Sequence, residues 1–544
     1  MLSKTRIAAV VAGALVVGGP AAVAAHGGTT QPGCSTDWPA AWHDVGHSSS
    51  VLPGCTAISK LTVGALKPQW YAHASNVVSA SPTVVGNTVY VGDWNGVFTA
   101  YDAGTGKVRW HHQIRVSSPD YPGDIVSTAS VVPFADRTAP GGKRLVVVFG
   151  GGSSLWALDA ATGRQLASID LDPRSAATKA AEAAAGQNPQ IDVESSPAVA
   201  DVNVGGTTDR RIYVGIDVHD DRDVGRTGII ALHLTRGAAS WSFDPIWKLD
   251  AETGAVYQGV AGLTANSGTG FGCGGVWSSP AVDVVKGLVV FGTASCSNPE
   301  EARAAGTNWS ERMVAARVDS GQIVWAFRPA KQTAEAHLDD DFGASPNVFT
   351  TTNGARLIGE GRKSGCYYAR FAGTGGPSWT NCTATPGHAG NDFAIGGFLG
   401  TTAVQTDAHG HALRIIGATA IPVPRTPQQA ARATVAVRAM DPSTGATLWT
   451  YRLAGPTYGS VTVANGVVFV PDTTTASLVA LDAGTGLPLK ILPVAGPPSS
   501  TPAVVGDSVY VSAGTSQDGI PVLDRTGGVY RFALPGLADS ARAP

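Results

Sequence analysis

At 544 residues, with 43% hydrophobic side chains, the chain carries enough apolar material for a large core, which excludes a disordered polypeptide. A charged fraction of 15% and a formal net charge of −3 exclude nucleic-acid binding driven by bulk electrostatics. Sixty-eight glycines and 34 prolines argue for short strands and many turns rather than long helices.

The chain begins with Lys4 and Arg6, an apolar stretch from Ile7 to Val17, and the small residues Ala22-Val23-Ala24-Ala25. This is the pattern of a cleaved export signal over 1–25. Gly19-Pro20 interrupts the apolar run, so no membrane span is expected after cleavage, and the expected location is secreted or periplasmic. In that compartment the six cysteines read as disulfides, and their order favours three local pairs, Cys34–Cys55, Cys273–Cys296 and Cys366–Cys382. No C-x-x-C-H motif for covalent haem occurs, and no closely spaced zinc-type cysteine pair.

Self-similarity is the strongest signal. Clear copies of one motif are Ala100-Tyr-Asp-Ala-Gly-Thr-Gly106, Ala157-Leu-Asp-Ala-Ala-Thr-Gly163, Ala439-Met-Asp-Pro-Ser-Thr-Gly445 and Ala480-Leu-Asp-Ala-Gly-Thr-Gly486. Weaker copies at 231–237, 316–321, 369–375 and 522–527 bring the number to eight. Asp-x-x-Thr-Gly makes a tight turn, with Asp and Thr oxygens bonding backbone amides and Gly free to take positive φ. In five copies a tryptophan follows the Gly by four residues: Trp110, Trp241, Trp325, Trp379 and Trp449. Such a ring can bury against the neighbouring repeat. A ninth match, Lys248 to Gly254, follows its predecessor too soon to start a repeat and reads as an insertion.

Upstream of most copies stands Ser-Pro or Thr-Pro before alternating apolar residues, as at Ser81-Pro82, Ser196-Pro197, Ser279-Pro280, Ser345-Pro346 and Thr501-Pro502. This element reads as the innermost strand of a sheet. The 41-residue spacing from Asp441 to Asp482 fits four strands per repeat. The expected fold is therefore all-β: an eight-bladed β-propeller of four-stranded antiparallel blades over 26–538. The Ala-rich stretch 176–186 is expected to be a short helix, 242–270 a Gly/Ser-rich loop, and 539–544 a frayed tail.

These repeats, with Trp38-Pro39 and His43-Asp44 near the start, resemble the propeller dehydrogenases that use pyrroloquinoline quinone (PQQ). The likeness is nearest to the polyvinyl-alcohol dehydrogenase group and covers essentially the whole mature chain. It implies PQQ and Ca²⁺ as cofactors, a small-molecule or polymeric alcohol as substrate, and an external electron acceptor such as a cytochrome. Trp277, before Ser279-Pro280, matches the family's flat floor for the quinone. In His337-Leu-Asp339-Asp340-Asp341-Phe-Gly the last aspartate matches the catalytic base, with Asp339 as supporting carboxylate. In Gly361-Arg362-Lys363-Ser-Gly365, Lys363 matches the cation on the quinone oxygens, with Arg362 beside it. Asp223, with Asp221 as alternative, falls near a family calcium ligand, and Asp341 would share the metal.

The sequence departs from the family at two positions. Ser295, in Gly292-Thr-Ala-Ser295, stands where the family has Asn, and offers both metal and cofactor a weaker oxygen. Ser79 stands where a Glu often binds a quinone carboxylate. These departures support a rival expectation, a cofactor-free propeller acting as a secreted binding or scaffold protein. A sugar-active hydrolase on the same ring finds no well-spaced carboxylate pair to support it.

Overall fold

The computed structural model describes residues 37–114, 124–172, 192–217, 227–260, 272–296, 309–330, 341–382, 397–419, 436–454, 457–515 and 524–536, with Cys34 and a few isolated positions between them. Their regular structure is almost wholly β, arranged as antiparallel meanders that are mostly four-stranded. The first is typical: Thr83–Val85, Thr88–Gly92, Val97–Asp102 and Val108–Gln113 pair in chain order. Its second and third strands are buried almost throughout, while Val108–Gln113 is mostly exposed. A strand covered on both faces needs a continuous apolar run, and only the outermost strand can carry polar residues such as His111 and Gln113.

The Asp-x-x-Thr-Gly turns join third to fourth strands. Asp102 Oδ1 accepts from the amides of Gly104 and Thr105, at 3.1 and 2.9 Å, and from the Thr105 hydroxyl at 3.0 Å. Gly106 closes the turn at φ 71°. The tryptophans dock on these turns across sheets. Trp110 lies over Gly163, where a Cβ would come within 2.4 Å of the ring, and Trp110 Nε1 donates to Ala160 O at 3.0 Å. Trp325, Trp379 and Trp449 cover Gly375, Gly445 and Gly486 in the same way.

The third repeat differs from expectation. Trp241 is buried in a neighbouring cluster with Phe134 and Val146, and Trp247 docks on the next turn, donating to Val318 O at 3.2 Å. Strand register is the reason. Trp110, Trp325, Trp379 and Trp449 each pair with an alanine, at Ala100, Ala315, Ala369 and Ala439. In the longer hairpin of Gly228–Arg236 with Trp241–Asp250, the residue opposite Ala231 is Trp247. The segment expected as loop over 242–270 therefore begins as strand. The ninth motif is a true turn, leading into a fifth strand, Val256–Gln258. Of the five described positions in 176–186, 177, 180, 181 and 184 are helical and 185 is a turn. Residues 1–25 and 539–544 lie outside the described residues.

The innermost strands lie side by side in a closed cycle. Thr83–Val85 adjoins Ser130–Ala135, which adjoins Ala198–Val204, then Ala281–Asp283, Asn347–Thr351, Ala403–Thr406, Thr462–Ala464 and Ala503–Val505, which returns to Thr83–Val85. Hydroxyl groups stitch the cycle together. Backbone amides of Ser81, Thr128, Ser196, Ser279, Ser345 and Thr401 donate in turn to the hydroxyls of Thr128, Ser196, Ser279, Ser345, Thr401 and Ser460, at 2.8–2.9 Å. The Thr501 amide donates to Ser81 Oγ at 2.9 Å. Ser or Thr before the inner strand thus supplies the acceptor that the adjoining sheet requires.

The motif at 522–527 is not a turn of this kind, because Asp524–Ala533 is itself a third strand. The fourth strand of that sheet comes from the other end of the chain: Lys67–His73 pairs antiparallel with Asp524–Ala533, and Trp70 covers Gly106.

Residues 38–51 run as a strap across the inner strands. Carbonyls of Trp38, Pro39, Val45, Gly46, Ser48 and Ser49 accept from the amides of Val84, Val131, Val282, Val348, Val404 and Val463. These amides lie on strand edges that face no further strand, so the strap satisfies donors that would otherwise stay unpaired. Trp42, His43, His47 and Ser49 all take positive φ to make the path. His47 is buried and donates from Nδ1 to Pro346 O at 2.9 Å. Burial pushes its pKa down to about 4, against the smaller opposing charge of Asp44. The native state therefore holds His47 neutral. The stability this carries is complete above the ordinary histidine value and is lost as pH falls toward 4, an effect of about 3 kcal/mol. Thermal unfolding of His47→Gln, which keeps a donor for Pro346, should lose less stability between about pH 7 and 4 than wild type; parallel curves would refute the assignment.

Candidate functional site

Four segments at the same ends of strands in neighbouring sheets converge. Trp277 precedes the inner strand Ala281–Asp283, and Ser295 follows Leu288–Gly292. Asp341 precedes the inner strand Asn347–Thr351, and Lys363 follows Arg356–Gly361. Asp341 is their centre. Lys363 Nζ lies 2.9 Å from its Oδ2, to which Trp277 Nε1 also donates at 3.3 Å. The Ser295 amide donates to Oδ1 at 2.5 Å, and the Lys363 amide donates to the Asp341 carbonyl at 3.0 Å. Asp341 and Lys363 are both buried, so the pair is little screened by solvent. A carboxylate offers about four lone-pair sites, and the Lys363 ammonium, the Trp277 indole N–H and the Ser295 amide all point at this one.

The Trp277 ring is half-buried and rests against Gly343, where a Cβ would come within 2.9 Å of it. Lys363 Nζ stands 5.3 Å over the ring. Gly343, two residues after Asp341, thus lets the indole pack close against the backbone that carries Asp341. The disulfide Cys273–Cys296 staples the Trp277 segment to the Ser295 segment, helped by the Gly274 amide donating to Ser295 O at 3.1 Å and the Ala294 amide to Gly275 O at 2.8 Å. The other expected disulfides, Cys34–Cys55 and Cys366–Cys382, also form.

Trp277, Asp341, Lys363 and Ser295 are therefore brought together, Ser295 through its backbone amide. Arg362 is fully buried; its guanidinium is 3.7 Å from Glu311 Oε2 and 5.5 Å over the Phe342 ring. Asp221, Asp223 and Asp339 lie outside the described residues. Ser79 Oγ accepts from Trp94 Nε1 at 2.8 Å.

Two acids near the site were missed by sequence reasoning. Glu360 is wholly buried, and among the described residues its carboxyl has no hydrogen-bond partner. Burial drives its pKa well above the usual carboxyl range, which favours the protonated form. It crowds Gly292 from one side as Phe342 does from the other, which is why position 292 carries no side chain. Glu311 is buried beside Ala294 at φ 55°. Neither belongs to a repeated motif; a lone acid on a strand of otherwise apolar burial was the only signal for Glu360.

Comparison with known proteins bears on the family and the fold. Residues 52–380 match the family model described as PQQ, glucose/ethanol/alcohol dehydrogenase, beta-propeller domain, and residues 433–530 match that of the outer membrane protein assembly factor BamB. A polyvinylalcohol dehydrogenase from Pseudomonas sp is 24% identical over 497 residues, covering 77% of this chain and 70% of the relative. The dehydrogenase subunit of an alcohol dehydrogenase (quinone) from Gluconacetobacter polyoxogenes is 27% identical over 403 residues, or 69% of this chain. The chain spans about half of that relative's length. Among solved structures, the quinohemoprotein alcohol dehydrogenase of Comamonas testosteroni superposes with a TM-score of 0.63 at 17% identity, covering 93% of this chain and 82% of the other. A europium-containing methanol dehydrogenase superposes at 0.65 and 15% identity, covering 92% and 98%. At these identities the structural likeness speaks for the fold.

Proposed function

We propose, on the premise that the chain belongs to the glucose/ethanol/alcohol dehydrogenase β-propeller family, that it oxidises an alcohol with PQQ and Ca²⁺, using Asp341 as base. Membership of that family brings PQQ with a metal ion. The residues present fit a planar quinone in kind: a half-buried indole that can stack on a flat ring, with a buried cation and carboxylate against it. Among the described residues no group of three or more His, Cys, Asp or Glu is placed to hold a metal ion. The oxygens proposed for Ca²⁺ are those of Asp341 and Ser295, completed by Asp221 or Asp223; carboxylate and hydroxyl oxygens suit a hard cation. Bound together, quinone and metal supply a two-electron acceptor and a Lewis acid.

The observation that carries the reading is the convergence of Trp277, Lys363 and Ser295 on Asp341. Asp341 accepts the hydroxyl proton of the alcohol. Trp277 orients the planar partner and holds Asp341 Oδ2 through its indole N–H. Lys363 supplies positive charge where negative charge develops. Asp339 is the supporting carboxylate, and Arg362 acts from behind this cluster. Secondary alcohols, polyols and polymeric alcohols are the proposed substrates. A separate acceptor takes the electrons, since the sequence holds no haem-attachment motif.

We also infer eight blades and an exported protein. The blade count is supported by the closed cycle of inner strands and by two meanders within one eight-stranded sheet, joined only where Thr350-Thr351 runs parallel to His411-Ala412. Export is supported by three disulfides and the leader over 1–25. Among the described residues no helix is long and apolar enough to cross a membrane.

The test is to add PQQ and Ca²⁺ to the purified protein and follow heat of binding and dye reduction with a panel of secondary alcohols and polyols. Saturable binding with alcohol-dependent turnover is expected. Neither binding nor turnover would leave the cofactor-free binding propeller as the better reading.

A further inference from the structure

Beside the cluster, Glu311 connects the segments that hold Asp341. Its amide donates to Ala294 O at 2.9 Å, directly before the Ser295 amide that bonds Asp341 Oδ1. Its Oε2 lies 2.6 Å from Arg328 Nη2 and 3.7 Å from Arg362 Nη2. The Arg362 guanidinium covers the ring of Phe342, the residue after Asp341. Arg362 also precedes Lys363, and its backbone is tied on both sides: its amide donates to Cys366 O at 2.9 Å, and its carbonyl accepts from Phe398 at 3.1 Å. Glu311 is 5% exposed, and its φ of 55° is one a non-glycine residue holds only when its surroundings impose it.

We propose that Glu311 is a positioning residue: through Ala294 on one side and Arg362 on the other, it sets the spacing between the Ser295 amide, Asp341 and Lys363. The inference rests on the reading of Asp341 as base for its catalytic consequence, but not for its geometry. One residue thus ties the Ser295 segment through its backbone amide and the Lys363 segment through its carboxylate, beside their direct meeting at Asp341. Small displacements of a positioned group are enough to reduce catalysis.

The experiment compares Glu311→Gln, which removes the charge at constant size, with Glu311→Gly, which removes the carboxylate while easing the positive φ. Arg328→Gln, on the half-exposed side of the pair, serves as the variant least disturbing to the fold. Lysine amines of the cofactor-free protein are labelled competitively with a small acylating reagent and quantified by peptide mass spectrometry, with exposed Lys107 as internal reference. Labelling of Lys363 should rise several-fold in both Glu311 variants, and less in Arg328→Gln, with the thermal midpoint little changed. In protein loaded with PQQ and Ca²⁺, kcat should fall about 10- to 100-fold with KM little altered. Lys363 labelling at the wild-type rate in the Glu311 variants would overturn the brace. Because labelling needs no cofactor, absence of turnover in wild type would count against the dehydrogenase reading and leave the brace standing.

Discussion

Asp341→Asn should reduce kcat by about 10³-fold or more while PQQ binding changes little. Asn has the same shape and still offers an oxygen to the Ser295 amide or the Lys363 ammonium, but it cannot take the hydroxyl proton. Its amide nitrogen must also face one of the donors that now converge on the carboxylate. The variant should therefore fold, bind quinone by calorimetry, and fail in stopped-flow reduction by alcohol. Wild-type reduction rates in Asp341→Asn would remove Asp341 from the mechanism.

Trp277→Ala should weaken PQQ binding on the order of ten- to a hundredfold, since stacking of a planar ring on an aromatic side chain contributes about 1–3 kcal/mol. Trp277 also donates to Asp341, so a second substitution separates its two roles. Trp277→Phe keeps a flat face and loses the indole N–H; it should restore most of the affinity but only part of the rate. Unchanged affinity in Trp277→Ala, measured by quenching of protein fluorescence, would rule out the ring as the floor of the site.

Much of the fold was legible because its repeating parts are local. The Asp102, Asp159 and Asp441 turns are made by side chains bonding amides two and three residues away, so a seven-residue motif contains their whole chemistry. Trp277, Asp341 and Lys363 were singled out by resemblance to family motifs beside the repeating strands, and the structure brings the three together. What failed depended on register or on distant partners. Counting four residues from Gly237 selects Trp241, whereas a longer hairpin brings Trp247 opposite Ala231. The motif at 522–527 looks like an eighth turn, yet the strand it should lead into is supplied by Lys67–His73. Glu311 and Glu360 act through neighbours in other strands, and no spacing in one chain announces such contacts.

The pairing of Lys67–His73 with Asp524–Ala533 joins positions more than 450 residues apart, so it sets the order in which the molecule can be assembled. During synthesis the early sheets can collapse locally as each meander emerges, but the last one lacks its outer strand until both ends of the chain coexist. Until then Lys67–His73 is an unpaired strand with Trp70 and Tyr71 uncovered, and Ser508–Thr515 has an open edge. A chain stalled or clipped before residue 524 would keep most of its sheets and still present these two adhesive edges. Quality control of this protein should accordingly recognise late truncations as strongly as early ones, although they delete the least structure.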